Sequence, residues 1–396
     1  MPWKETGPVE ERQEFIRAYL ERSRSLRALC LDFGISRKTG YKWISRFVQG
    51  GMPALVDRSR ARHSMAHKTP PWTEELIVAL RKRYPRWGPK KLVAALQAQH
   101  PAIQFPAPST AGHILRARGL VQSRRYAKRP KGALHPFEPR PVAAPNSTWC
   151  ADFKGHVRLR NGAVCYPATL TDAFSRKILR CQALSSATYD ATRLVWISAL
   201  REYGLPSAIR TDNGVPFAAP NGFLRLSLLA LFLIELGIDP EFIEPGNPQQ
   251  NGSHERMHRT LKEATMDPPA SSLIEQQRRF DIFVAEFNEQ RPHEALNQRP
   301  PDSVYTKSSR PYPAKHPKPE YGAHLHIRKV CSNGIIIWGS RRYCLSRALD
   351  EKYVGIEYIC DSLARVQYYS KVLAMIDEEE EILIPNEEWH SPDNHV

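Results

Sequence analysis

The chain has 396 residues, 41% of them hydrophobic, and 57 Lys+Arg against 41 Asp+Glu give it a formal net charge of +16. That length predicts roughly two to four domains, and the apolar content excludes disorder throughout. No segment reaches the roughly 18 uncharged apolar residues of a membrane span; the start carries no secretory pattern, and 7 scattered cysteines without a Cys-x-x-Cys pair fit a reducing cytoplasm better than a disulfide scaffold.

The charge is concentrated at the front. Residues 1–148 hold 28 Lys+Arg against 10 Asp+Glu, net +18, whereas residues 149–396 hold 29 against 31, net −2. A basic front end on a neutral body predicts a polyanionic partner, with double-stranded DNA the first candidate. Residues 1–50 read as a helix-turn-helix domain. Phe15, Ile16, Tyr19 and Leu20 recur at helical spacing, and Leu26, Leu29, Cys30 and Phe33 form a second stripe. Gly34 supplies the turn, and Ser36 caps a helix whose expected inner face is Trp43, Ile44, Phe47 and Val48. Arg37, Lys38, Thr39 and Lys42 lie near the start of that helix, where a recognition helix meets bases and phosphates.

Residues 51–71 form a basic linker with Arg58, Arg60 and Arg62. Residues 72–125 repeat the pattern as a more divergent helix-turn-helix domain. Leu76, Ile77, Leu80 and Tyr84 make one stripe, Pro89 opens a second helix, and Ile114 and Leu115 lie in a third. Its candidate DNA contacts are Lys90, Lys91, Arg116, Arg124 and Arg125. A linker rich in proline and basic residues occupies 126–147. Residues 148–305 then alternate strands, expected at 149–157, 164–172, 177–184 and 207–211, with helices, expected at 189–203, 222–237, 249–265 and 271–290. Three early strands on short turns followed by alternation predict a mixed-sheet α/β domain. After a linker at 306–322, residues 323–376 are strand-like throughout and predict a small β-barrel. Residues 377–396 read as an acidic tail.

Three carboxylates in the α/β segment are candidates for chemistry. Asp152 lies in Trp149-Cys-Ala-Asp-Phe153, where alternation puts Trp149, Ala151 and Phe153 on one face of a strand and Asp152 on the other. A carboxylate inside a sheet is costly unless it meets something positive. Asp212 ends the strand of Ala208-Ile-Arg-Thr-Asp-Asn-Gly214, at a carboxyl end of the kind where ligands gather in α/β sheets; a turn-forming Asp-Asn-Gly is the plainer reading of that segment taken alone. Glu255 follows Asn251-Gly-Ser near a helix start, and His258, Arg259 and Lys262 follow it at spacings that place all four on one face. An acid followed by bases on that face suits a metal ligand followed by DNA clamps. Phosphodiester cleavage needs an activated nucleophile and a stabilised leaving oxygen, which two Mg²⁺ ions about 3.5–4 Å apart can supply. Hard cations of this kind take carboxylate oxygens and keep several waters.

Taken together, Trp-x-x-Asp-Phe, Thr-Asp-Asn-Gly, Pro-x-x-Pro-Gln-x-Asn-Gly-x-x-Glu-Arg-x-His-Arg-x-Leu-Lys and Phe-Asn-x-x-Arg-Pro-His-Glu-Ala-Leu resemble the DDE transposases of bacterial insertion sequences, which have a retroviral-integrase-type core. The resemblance covers roughly residues 149–305. It implies a ribonuclease-H-like fold, with Asp152 on the first strand, Asp212 after the fourth and Glu255 on a helix as catalytic residues and metal ligands. It further implies Mg²⁺, with Mn²⁺ as a substitute and two ions per site, 3′-end cleavage, and strand transfer into target DNA. A basic residue seven positions after the glutamate belongs to the pattern and is here Lys262. The implied partners are the terminal inverted repeats, target DNA and further copies of the chain, at least a dimer on paired ends. The implied setting is the bacterial cytoplasm, associated with the nucleoid.

Two departures stand out. The gap between Asp212 and Glu255 is longer than in retroviral integrases, with the apolar segment 217–236 expected to absorb it, and no zinc domain is expected, because His63 and His67 are followed by no Cys-x-x-Cys. Two other readings stay open: a ribonuclease-H-fold nuclease that does not join strands, and a domesticated DNA-binding regulator.

Overall fold

The computed structural model describes residues 7–59, 69–121, 142–219, 222–243 and 251–386. Contacts divide the chain into two units, residues 1–70 and residues 71–396. In the first, serine caps set the helix starts. The Ser25 hydroxyl accepts from the Ala28 N–H at the head of α2 (Leu26–Asp32), and that of Ser36 accepts from the Thr39 N–H at the head of α3 (Arg37–Gly50). With α1 (Pro8–Leu20) they enclose Phe15, Ile16, Leu29, Cys30, Trp43 and Leu55. Gly34, at φ 62°, makes the turn between α2 and α3. One inner-face expectation fails: Val48 is 76% exposed, because Trp43 and the segment Met52–Leu55 close the core without it.

The second unit opens with three helices, α4 (Pro71–Arg83), α5 (Pro89–Gln99) and α6 (Pro108–Ala117), each beginning at a proline. At this position the missing N–H would have had no helical partner. They pack around Ile77, Leu80, Trp87, Leu92, Leu96 and Leu115. This bundle sits on the following domain through the Tyr84 hydroxyl, which donates to Gln290, and a 2.9 Å ion pair between Lys90 and Glu294.

The α/β domain is built on β1 (Thr148–Phe153), β2 (Val157–Arg158), β3 (Val164–Asp172), β4 (Ile178–Leu184), β5 (Ala208–Thr211) and β6 (Asp239–Phe242). Strands β4, β3 and β1 are antiparallel neighbours, and β5 and β6 continue the sheet parallel to β1, while β2 pairs with the start of β3. One face carries Trp149, Ala151, Leu170 and Ile209 against α7 (Tyr189–Tyr203) and α8 (Leu228–Glu235). The other carries Cys165, Ile178 and Cys181 against α9 (Gly252–Thr265) and α10 (Leu273–Ala285). The first strand is shorter than expected because Gly155, at φ 64°, turns the chain out of the sheet. Helix α8 starts later than expected, at the Ser227 cap. Strand β6, Asp-Pro-Glu-Phe, gave no strand signal, but as a sheet edge it tolerates Pro240. Beyond α10 a wide π turn, Glu286–Gln290, places Asn288 so that its amide pairs with both backbone groups of Ile178, each at 2.9 Å.

The C-terminal region is not the closed barrel expected. It is an open five-stranded antiparallel sheet in the order β13 (Ile382–Pro385), β12 (Lys371–Asp377), β11 (Leu363–Tyr368), β10 (Tyr353–Tyr358) and β7 (His326–Lys329), with a separate hairpin of β8 (Ile335–Trp338) and β9 (Arg341–Cys344). Its apolar face does not need to curl on itself, because Leu226, Ala230, Leu231 and Ile234 from around α8 join its core beside Trp338 and Tyr343 of the hairpin. The acidic run at Asp377–Glu381 is the turn between β12 and β13, not the start of a tail.

Candidate active site

Pleating puts Asp152 on the α9 side of the sheet, opposite the face that buries Trp149 and Ala151. Register brings Asp212 beside it: Cys150 pairs with Arg210 across the parallel β1–β5 ladder, so the residues two further on, Asp152 and Asp212, lie at adjacent carboxyl ends. Glu255 projects from the first turn of α9 and is exposed, while the charge it carries is felt at Asp152. Asp212 also serves its turn, its Oδ1 accepting from the Gly214 N–H at 3.1 Å. Burial, then the Asp212 charge, push the Asp152 carboxyl up to about 7, and the Glu255 charge acts in the same direction. Burial raises Asp212 as well.

Asp212 and Glu255 therefore both act on Asp152 through their charge, and this is only partly offset, since Lys154 works against the rise. Such a set fits hard divalent cations, whose charge reverses the penalty that raises Asp152.

Behind Asp152 lies a polar cluster that was not anticipated. His254 and His258 are buried, with their rings 4.5 Å apart. The Thr169 hydroxyl lies 2.7 Å from His254 Nε2, 2.6 Å from His258 Nε2 and 2.9 Å from the Asp152 carbonyl oxygen. Thr171 Oγ1 is 2.8 Å from His254 Nδ1, and His258 Nδ1 is 3.4 Å from Asp152 Oδ2. Burial pushes His254 down to about 3 and, with the adjoining His254, His258 down to about 2. The expected role of His258 as a DNA contact is corrected here, since its side chain is 3% exposed and turned into the fold. The reason is angular: on α9 the buried stripe runs through His254, Met257, His258, Leu261 and Thr265, and His258 falls inside its margin. The sequence did carry a signal, because His254-Glu255-Arg256-Met257-His258 has the His-Glu-x-x-His spacing of zinc-binding helices.

The remaining basic candidates divide by environment. Arg259 and Lys262 are exposed on α9 on the Glu255 side. Arg37, Lys38 and Lys42 are exposed on α3, whereas Thr39 is half-buried, its hydroxyl 2.9 Å from that of Ser36. Arg58 and Arg116 are exposed. Lys90 is taken up by Glu294, and burial, aided by Arg291, lowers Lys91 to about 8, so both face the α/β domain. Arg60, Arg62, Arg124 and Arg125 lie outside the described residues.

Known proteins share these parts. Models of the integrase core domain match residues 142–248 and 236–301, a helix-turn-helix domain model matches 11–63, and a homeodomain-like domain model matches 39–115. The uncharacterized protein of insertion element IS136 from Agrobacterium tumefaciens (strain T37) is 30% identical over 183 residues, which is 43% of this chain and 88% of the relative. The uncharacterized 39.2 kDa protein of insertion element IS476 from Xanthomonas euvesicatoria is 28% identical over 261 residues, 63% of this chain and 69% of that one. Among solved structures, the HTLV-2 integrase catalytic core domain in complex with magnesium is similar at 17% identity and a TM-score of 0.33, covering 42% of this chain and 100% of that one. With insertion-element relatives, two integrase core matches and helix-turn-helix domains on one chain, the protein belongs to the insertion-sequence transposases that carry an integrase-type core.

Proposed function

We propose that this transposase cleaves the ends of its insertion element and joins the freed 3′-hydroxyls to target DNA. The observation that supports the reading is Asp152 and Asp212 at adjacent strand ends, with Glu255 near enough for its charge to act on Asp152, which burial and these acidic neighbours raise to about 7. Two divalent cations, Mg²⁺ or Mn²⁺, held by these carboxylates would activate the attacking oxygen and stabilise the leaving one. Asp152 and Asp212 fix the position from strand ends that cannot shift independently, and Glu255 completes the set from α9. Arg259 and Lys262, exposed on the same side of that helix, suit the phosphates on either side of the scissile bond.

Terminal-repeat recognition belongs, on this reading, to residues 1–125, where α3 presents Arg37, Lys38 and Lys42. Paired ends call for at least two copies of the chain on DNA.

Asp152→Asn, Asp212→Asn and Glu255→Gln are each expected to abolish cleavage and joining while sparing end binding, since each keeps its shape and loses a charge. Excess chelator is expected to stop both steps. Strand transfer near the wild-type rate by any one variant would refute the triad. A substrate with a pre-cut end separates transposase from nuclease: joining supports the proposal, and hydrolysis alone overturns it.

A further inference from the structure

We propose that His258 is a ligand of the cation held by Asp152, so that this site combines an imidazole nitrogen with carboxylate oxygens. The inference rests on the metal-dependent reading above and adds a residue that reading does not require.

The Asp152 carbonyl oxygen can only accept, so the single hydroxyl proton of Thr169 goes to it across 2.9 Å. The two lone pairs of Thr169 Oγ1 then face His254 Nε2 and His258 Nε2, and each of these nitrogens must be the one that bears hydrogen. In a neutral imidazole the other nitrogen is an acceptor. For His254 that acceptor is met by Thr171 Oγ1 at 2.8 Å. For His258 it faces Asp152 Oδ2 at 3.4 Å.

Two acceptors thus point at one place, and a proton or a cation must lie between them. Donors that share one ion at ordinary distances of about 2.0–2.2 Å can be separated by 3.4 Å without moving. A cation bound at Asp152 removes the need for the proton and takes its place. Although Asp152, His254 and His258 offer donor atoms within 4.8 Å of one another, His254 drops out as a ligand because both its nitrogens are already engaged. His254 holds the partner ring in place, and the His-Glu-x-x-His spacing yields one ligand, not two. An imidazole donor favours Mn²⁺ over Mg²⁺, the harder ion.

The test uses full-length protein with Mn²⁺ as the probe and electron spin-echo envelope modulation as the readout. Wild-type protein is expected to show coupling to a directly bound imidazole nitrogen, and incorporation of heavy-nitrogen histidine is expected to change the pattern. His258→Gln keeps a donor at the Nε2 position for Thr169 and has nothing at Nδ1, so it is expected to lose the coupling and to bind Mn²⁺ roughly tenfold more weakly. Its ratio of Mg²⁺ to Mn²⁺ affinity is expected to rise. Mn²⁺ bound through Asp152, as shown by its loss in Asp152→Asn, but without histidine coupling in the wild type would overturn the ligand role and leave the proposed function standing. Undiminished Mn²⁺ binding in Asp152→Asn would overturn both. The labelled wild-type spectrum decides the question even if His258→Gln fails to fold.

Discussion

At the scale of single residues, two turns of α9 perform opposite tasks on opposite sides. Glu255, Arg259 and Lys262 are exposed, while His254, Met257 and His258 are buried against the sheet. Lys262 cannot ligate a cation, and its seven-residue offset from Glu255 brings its ammonium to the same side of the helix. We expect Lys262→Ala to slow cleavage and joining on the order of 10²-fold by loosening the hold on a phosphate. Lys262→Arg should recover part of the rate, and end binding should hardly change. Single-turnover kinetics at limiting DNA checks this, and a wild-type rate for the alanine variant would return Lys262 to an ordinary surface role.

At the scale of elements, helix α3 couples packing to recognition. Its inner side carries Gly40, where an added Cβ would lie 2.6 Å from Cys30 Sγ and 3.2 Å from Phe15 Cζ. Both neighbours are buried, so Gly40→Ala is expected to force α3 off α2 at about 1–3 kcal/mol, despite the higher helix propensity of alanine. Hydrogen exchange at α2 and α3 amides would register the loss locally, and unchanged protection would show that the interface yields. On the outer side, Arg37→Ala and Lys38→Ala should each weaken end binding and reduce the salt slope by about 1. Anisotropy titrations over a range of KCl measure both quantities. An unaltered slope in either variant removes that residue from the phosphate contacts.

At the scale of the whole molecule, α8 belongs to two cores. Leu229, Phe232 and Leu233 pack toward the catalytic sheet, while Ala230, Leu231 and Ile234 pack toward the C-terminal sheet. Buried on all sides from Leu229 to Glu235, this helix has no amphipathic face, and Leu228–Ile234 is accordingly apolar at every position. At its end, Glu235 accepts from Lys352 at 2.7 Å and from the Tyr368 hydroxyl at 2.6 Å, with His316 Nε2 at 2.6 Å. Burial alone would raise this carboxyl, but the bonds from Lys352, Tyr368 and His316 bring it below its ordinary value. A depressed carboxyl stabilises the fold above its unfolded value of about 4.5, and that contribution is lost as pH falls through the lower folded value. We therefore expect Glu235→Ala to destabilise the joint of the two domains by about 2–4 kcal/mol near neutral pH. The gap between variant and wild type should narrow as the pH falls below about 4.5. Melting curves across that range test the sign. A gap that widened on acidification would contradict it.

How much was legible in the sequence followed from the range of the interactions concerned. Caps, turns and strand alternation act over a few residues, so α3 behind Ser36, strand β3 at Val164–Asp172 and helix α7 at Tyr189–Tyr203 could be read directly. The three carboxylates could be proposed on the same footing, because each lies inside a short motif. What required the folded chain depends on partners distant in sequence. Whether His258 faced DNA or the sheet turned on Thr169, 89 positions away, and Glu235 found its partners 81 to 133 positions away. The open C-terminal sheet was decided in the same way. Its strands have the alternation of a barrel wall, but the apolar face that a barrel would close on itself is covered by α8, a helix more than 90 residues earlier in the chain by a rough count, and alternation within a strand carries no record of what covers it.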